Sequence, residues 1–272
     1  MISGFSGIVK NRFINSLQYR AAAIAGMATQ IFWGLIMVMV LDAFYKSSTA
    51  VPPISFRQVC NYIWLGQAFL ALLPWTPDWR MQGMVRDGRV SYDFVRPQNV
   101  YSIWFARALG WRTAAVLLRA VLLLLFAAFI MPLFGLGHLA LSLPASPASF
   151  LAFAVSMILA AFLGCSIVVI LNTTLIWTIS GLGTVLILNG VTTIFSGMVI
   201  PLPLFPDAFR KILSFLPYRG LTDAPFRLYS GHIPPEGFWG VILHQAVWTG
   251  LLVLFGVWLL EKGRAKLVIQ GG

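Results

Sequence analysis

Apolar residues fall in long unbroken runs along this chain, separated by shorter stretches rich in Arg, Pro and Gly. A helix that crosses a bilayer needs about 20 mostly apolar residues. Six runs reach that length, at roughly 21–45, 58–76, 113–134, 149–171, 174–200 and 238–260. They predict an all-α integral membrane protein with six transmembrane helices, built as one domain over residues 1–272. Only Asn172 and Thr173 part the fourth and fifth runs. Either a tight hairpin turns there or a single broken helix continues. A helix spanning both runs would far exceed a bilayer, which favours the hairpin.

Two stretches fit neither a span nor a solvated loop. Residues 197–237 are too proline-rich for a span and too apolar for open water. Phe209, Ile212, Leu213 and Leu216 recur there at helical spacing beside Arg210 and Lys211. Irregular backbone at membrane depth survives only where protein or a watery cavity covers it. This pattern predicts a re-entrant external segment between the fifth and sixth spans. Near the start, Ile8, Phe13, Ile14 and Leu17 can share one face while Lys10, Asn11 and Arg12 turn away, predicting an N-terminal interfacial helix.

Composition agrees with a membrane class. Hydrophobic residues make up 59% and charged residues 10%, against about 25% charged in soluble domains. Mean hydropathy is +0.85. The net charge of +11 would raise nucleic acid as a partner in a soluble protein. In a membrane chain it follows from Lys and Arg gathering on cytoplasmic loops beside anionic lipid, and no nucleic-acid partner is expected. Lys10, Arg12 and Arg20 precede the first span, six arginines from Arg80 to Arg112 lie between the second and third, and Lys262, Arg264 and Lys266 follow the last. With six spans these share one side, and the opposite side holds fewer. Both termini are therefore expected in the cytoplasm, in a multi-pass protein of the plasma (inner) membrane.

Several chemistries find no support. Gly83–Val90, GMVRDGRV, has phosphate-loop glycine spacing, but Arg89 and Val90 stand where Lys and Ser/Thr are required. His138, His232 and His244 are scattered, and Cys60 and Cys165 read as small buried hydrophobes, so no metal site is expected. None of the eight acidic residues sits at the centre of a span, unlike the usual ion-coupled carrier. One cation does fall inside a run. Arg119 either snorkels to the headgroups or lines a cavity for an anionic group. The fifth run is rich in small and polar groups, which serve either close helix packing or a substrate path involving Thr184, Asn189, Thr192 and Phe195.

Three segments carry a family resemblance. GRVSYDFVRPQN (88–99) is similar to the glycine–spacer–arginine–proline segment after the second span of type-2 ABC exporter permeases. Residues 195–231 are similar to that family's signature before the last span, and RAKLVIQGG (264–272) to the basic tail of its short six-span bacterial branch, which lacks a fused ATPase. Tyr92–Asp93–Phe94 departs from the more aliphatic run expected there. The resemblance implies a permease that pairs with a second permease, identical or homologous, and is driven by separate ABC ATPase subunits. The chain itself would bind no cofactor, ATP and Mg²⁺ being used by the partner. A cytoplasmic coupling helix between spans 2 and 3 would include Arg86, Asp87, Gly88, Arg89, Asp93, Arg96 and Pro97. A second coupling turn would fall at Asn172 and Thr173. From Tyr101 the chain would run along the headgroups, with Trp104 and Trp111 as anchors, before the third span rises. A membrane scaffold, an intramembrane enzyme and a secondary carrier are the other classes the residues leave open.

Overall fold

A computed structural model describes residues 2–18, 20–49, 51–178 and 182–264. Only helices and connecting loops occur among them. In chain order they are α1 (Ile2–Ser16), α2 (Arg20–Ser47), α3 (Phe56–Phe69), α4 (Trp79–Arg86), α5 (Ser91–Phe94), α6 (Val100–Leu125), α7 (Met131–Leu133), α8 (Pro147–Thr174), α9 (Leu182–Phe195), α10 (Asp207–Phe215), α11 (Asp223–Tyr229) and α12 (Phe238–Arg264).

Four stretches are long and apolar enough to cross a membrane: Ile24–Ser47, Val100–Leu133, Pro147–Thr174 and Pro235–Arg264. They correspond to the expected first, third, fourth and sixth spans. The other two expected spans form shorter helices. In 58–76, the helix α3 has 14 residues and tightens into a 3-10 turn at Leu70–Leu72. Pro74 and Pro77 then keep the chain extended, because proline lacks the N–H that a helix would use. Within 174–200, α9 also has 14 residues.

The third span differs in another way. Residues 101–112 do not lie along an interface as a separate element. They are the first turns of α6, started by Asn99, whose side chain caps the helix by accepting from the Ser102 N–H. A wide π turn at Phe126–Ile130 leads into α7, giving 34 residues in all. That is about 51 Å at 1.5 Å per residue, well beyond the ~30 Å hydrocarbon layer. At the far end the Ala127 carbonyl accepts from the Leu141 N–H at 3.0 Å.

Helix α8 is the centre of the bundle, buried along most of its length against α12, α6 and α11. Its apolar packing is locked by one polar group. Gln245 of α12 accepts from the Ser156 hydroxyl at 3.0 Å and donates to the carbonyls of Ser156 and Gly220. The expected external segment forms a layer over the bundle. Gly197 turns the chain at φ +81 after α9, and α10 and α11 follow. Leu213 points inward and Leu216 is half-buried while Phe209 and Ile212 stay exposed, so the predicted apolar set is divided between two sides. In α11, Asp223, Phe226 and Leu228 are fully buried.

Helix α1 docks on the first half of α6. A Cβ at Gly110 would stand 2.6 Å from the Val9 carbonyl and 3.0 Å from the Arg12 Cβ, so only glycine permits this approach. Phe5 and Ile8 pack on a cluster built around Met81, Trp104 and Phe105. Lys10 and Asn11 face out as expected, whereas Arg12 does not.

Candidate functional site

The arginine-rich segment between α3 and α6 is a folded element. Asp78 begins α4 by accepting from the Arg80 N–H, and Gly88 turns the chain toward α5 at φ +70. Three buried polar groups join this stretch to the bundle, through α1, α6 and α8.

The first is Asp93. Its carboxylate is 1% exposed and accepts from both terminal nitrogens of Arg107, at 2.5 and 3.0 Å, and from the Trp104 indole at 3.1 Å. The Arg96 guanidinium stands 4.0 Å away. A carboxylate this enclosed is tolerated only with such partners. Its inward position takes the Asp93 side chain off the exposed face of the expected coupling helix. It also explains the departure at Tyr92–Asp93–Phe94, since Asp93 is the residue that holds α5 to α6. Trp104 is likewise buried as its donor and is not a headgroup anchor.

The second is Asp78, which pairs with Arg12 at 2.7 Å. Arg12 was expected to turn away from the apolar face of α1; the buried carboxylate draws it inward. The Asp78 backbone N–H donates to the Asn172 side chain at 3.0 Å, which adds α8 to the same joint. Asn172 and Thr173, expected as a connecting turn, belong instead to the last turn of α8 and are buried at 1% and 0%. The chain turns after them, at Leu175–Trp177. Their enclosure removes them from any outer contact surface.

The third is Arg112. Its guanidinium donates to the carbonyls of Ala71, Leu73 and Thr76, the last groups of α3's 3-10 end and the extended chain beyond. Those carbonyls have no helical partner, and one planar cation meets all three.

The outward side of the segment has a different character. Arg86, Asp87, Gly88, Arg89, Arg96 and Pro97 are exposed, and Arg89 pairs with Asp87 at 2.7 Å. Among them stand two exposed apolar side chains, Tyr92 at 67% and Val95 at 79%. Charged residues thus surround two apolar ones on the exposed side of the segment.

The residues expected in a substrate path are not all brought together. Thr184 lines an apolar cavity of about 380 Å³ between α8, α9 and α12. Thr192 is buried and its hydroxyl has no partner, as is true of Ser196 one turn on. Asn189 is engaged within its own helix by the Thr193 hydroxyl, and Phe195 stands edge-on to Tyr218. Arg119 lies elsewhere, its guanidinium within about 3 Å of a Cβ placed on Gly26 of α2. No carboxylate pairs with Arg119 among the described residues, and its Nε is buried without a partner.

On the opposite end of the bundle, Asp223 accepts from Arg227 at 3.1 Å and from the Tyr62 hydroxyl at 3.3 Å. Arg227 Nε donates to His232 Nδ1 at 2.9 Å, so His232 Nε2 carries the ring proton, 3.3 Å from the Pro53 carbonyl. Burial and then the Arg227 charge lower the His232 pKa.

With this geometry in view, the chain matches the family described as ABC-2 family transporter protein over residues 31–271. It belongs to that family, and is a transmembrane component of an ABC transporter. A search of curated proteins gives no match. Sequence reasoning missed Arg12, Asp78 and Arg107. The available signal was the number of acidic residues: with only eight in the chain, any acid beside apolar neighbours needs a nearby cation.

Proposed function

We propose that the chain is the membrane-spanning subunit of an ATP-driven exporter, a single permease domain that works as a dimer with an identical or homologous permease. Separate ABC ATPase subunits hold the ATP and Mg²⁺ and dock on the α4–α5 segment. One observation carries this reading. The segment presents an exposed rim of Arg86, Asp87, Gly88, Arg89, Arg96, Pro97, Tyr92 and Val95, while its inner side is fixed to α1, α6 and α8 by Asp93 and Asp78. Such a part passes a push from outside to the spans without collapsing. A loosely held basic loop would absorb it.

In this reading α3 and α9 are the two remaining crossings, which makes six. Helix α3 with its 3-10 turn extends about 27 Å and is enclosed by protein, so it needs no wide lipid-facing belt. Both termini and the α4–α5 segment then face the cytoplasm, with α1 at that interface, and α10–α11 cap the outer side. The membrane is the plasma (inner) membrane. The turn after α8 supplies a second, smaller contact for the ATPase. Exposed apolar residues of α2 (Phe32, Trp33, Phe44) and α9 (Leu186, Ile187) face the second permease. Thr184, Asn189, Thr192 and Phe195 of α9 border the substrate route, the orphan hydroxyl of Thr192 being its polar point, while Arg119 stands apart from them against α2.

The test replaces Asp87, Arg89 and Arg96 with Ala together. All three are exposed, so membrane insertion and thermal stability should stay near wild type, while the ATPase no longer co-purifies and substrate-stimulated hydrolysis falls at least tenfold. Normal coupling in the inserted triple variant would refute the docking assignment.

A further inference from the structure

Beside the α4–α5 segment lies a polar cavity of about 280 Å³, where the start of α6 meets the end of α12. Arg96, Gln98 and Asn99 line it from the approach to α6, and Glu261 and Arg264 from the last turn of α12. Phe94 forms part of its wall, and the Arg264 guanidinium lies over that ring at 5.9 Å.

Its electrostatics favour an anion for three independent reasons. Arg264 pairs with no carboxylate among the described residues, and Arg96 approaches one only at 4.0 Å. That carboxylate, Asp93, is already met by both terminal nitrogens of Arg107, which leaves the Arg96 charge available. The first turn of α6 borders the cavity, and a 26-residue helix carries partial positive charge at that end. Glu261 opposes these, one carboxylate against two guanidinium groups. The position decides the kind of anion. Arg264 ends an apolar stretch of 30 residues, about 45 Å long, which matches a bilayer with its headgroup layers, so the cavity lies at headgroup depth.

We propose that this cavity binds a phosphate-bearing anion, Arg96 and Arg264 taking the phosphate oxygens, and that its source is the headgroup of an anionic phospholipid.

The test is calorimetric titration of the purified full chain, held in phosphatidylcholine nanodiscs, with short-chain phosphatidylglycerol. Short-chain phosphatidylcholine and inorganic phosphate are titrated in parallel. Saturable binding of phosphatidylglycerol is expected. Arg264→Gln should weaken it about tenfold or more, the usual worth of a charge-assisted hydrogen bond. Glu261→Gln, an exposed substitution, should tighten it. Equal saturable binding of inorganic phosphate, with the same response to both variants, would support the site and assign it to a soluble phosphate. Binding that ignores both variants, or no saturation above the phosphatidylcholine control, would overturn the proposal.

Discussion

Removing the charge of Asp93 while keeping its shape isolates the joint between α5 and α6. In Asp93→Asn the carboxylate that meets Arg107 at 2.5 and 3.0 Å becomes a neutral amide, and one of its two acceptors becomes a donor facing a donor. Unit charges about 4 Å apart attract by about 4 kcal/mol at an effective dielectric of 20. Asn keeps one acceptor, and the Arg107 side chain, 21% exposed, regains part of its hydration. About 3 kcal/mol of destabilisation should remain, as is usual when one partner of a buried pair is removed. The assay is unfolding in mixed micelles, run on Asp93→Asn, Arg107→Gln and the double variant. The double variant should be no worse than the worse single one, giving a coupling of about 3 kcal/mol, the cost of the milder single variant. Effects that add to within about 0.5 kcal/mol would refute the claim that these residues act as one unit.

Two further outcomes are expected. Gly110→Val puts methyl groups where α1 crosses α6, with even the Cβ 2.6 Å from the Val9 carbonyl. The crossing should loosen at a cost of about 1–3 kcal/mol, and hydrogen exchange should speed up across residues 2–16; unchanged protection there would be contrary. The second concerns pH. His232 is held neutral as the acceptor of Arg227, beside Asp223, and its pKa is lowered from 6.5. The unfolded chain therefore binds the proton first. His232 supports the fold fully above about pH 6.5 and loses that support as pH falls below it. His232→Gln should flatten this part of the stability profile relative to wild type, and parallel profiles would contradict it.

The long apolar runs were legible because length and hydropathy are local properties. Residues 149–171 became α8 at Pro147–Thr174 with hardly a change. Residues 58–76 show the limit of that reasoning. Their hydropathy resembles a span, yet Pro74 and Pro77 end the helix early, and the carbonyls of Ala71, Leu73 and Thr76 are met by Arg112, a residue 36 to 41 positions away. Asp93 and Arg12 were misjudged for a related reason. On a single helix or loop a charge belongs outside, and only the tertiary partner, Arg107 or Asp78, draws it inward. The start of α6 was missed because aromatic residues with scattered arginines read equally as an interfacial belt or as a helix buried on one side. The exposed rim of Arg86, Arg89 and Arg96 was legible because exposed charge near a span end needs no partner to place it.

The pairing of Arg12 with Asp78 also sets an order of events during synthesis. The two residues are 66 positions apart, and at about 5–20 residues per second Arg12 precedes its partner by several seconds. The groove at Gly110 is made later still. Until then α1 has no protein surface to cover Phe5 and Ile8, and the membrane surface is the available place for them. The helix must turn Phe5 and Ile8 from lipid to α6 when α6 emerges, so the affinity of that side for lipid has an upper limit. A variant of α1 made more apolar on its outer face would fold its spans normally and yet leave this joint open.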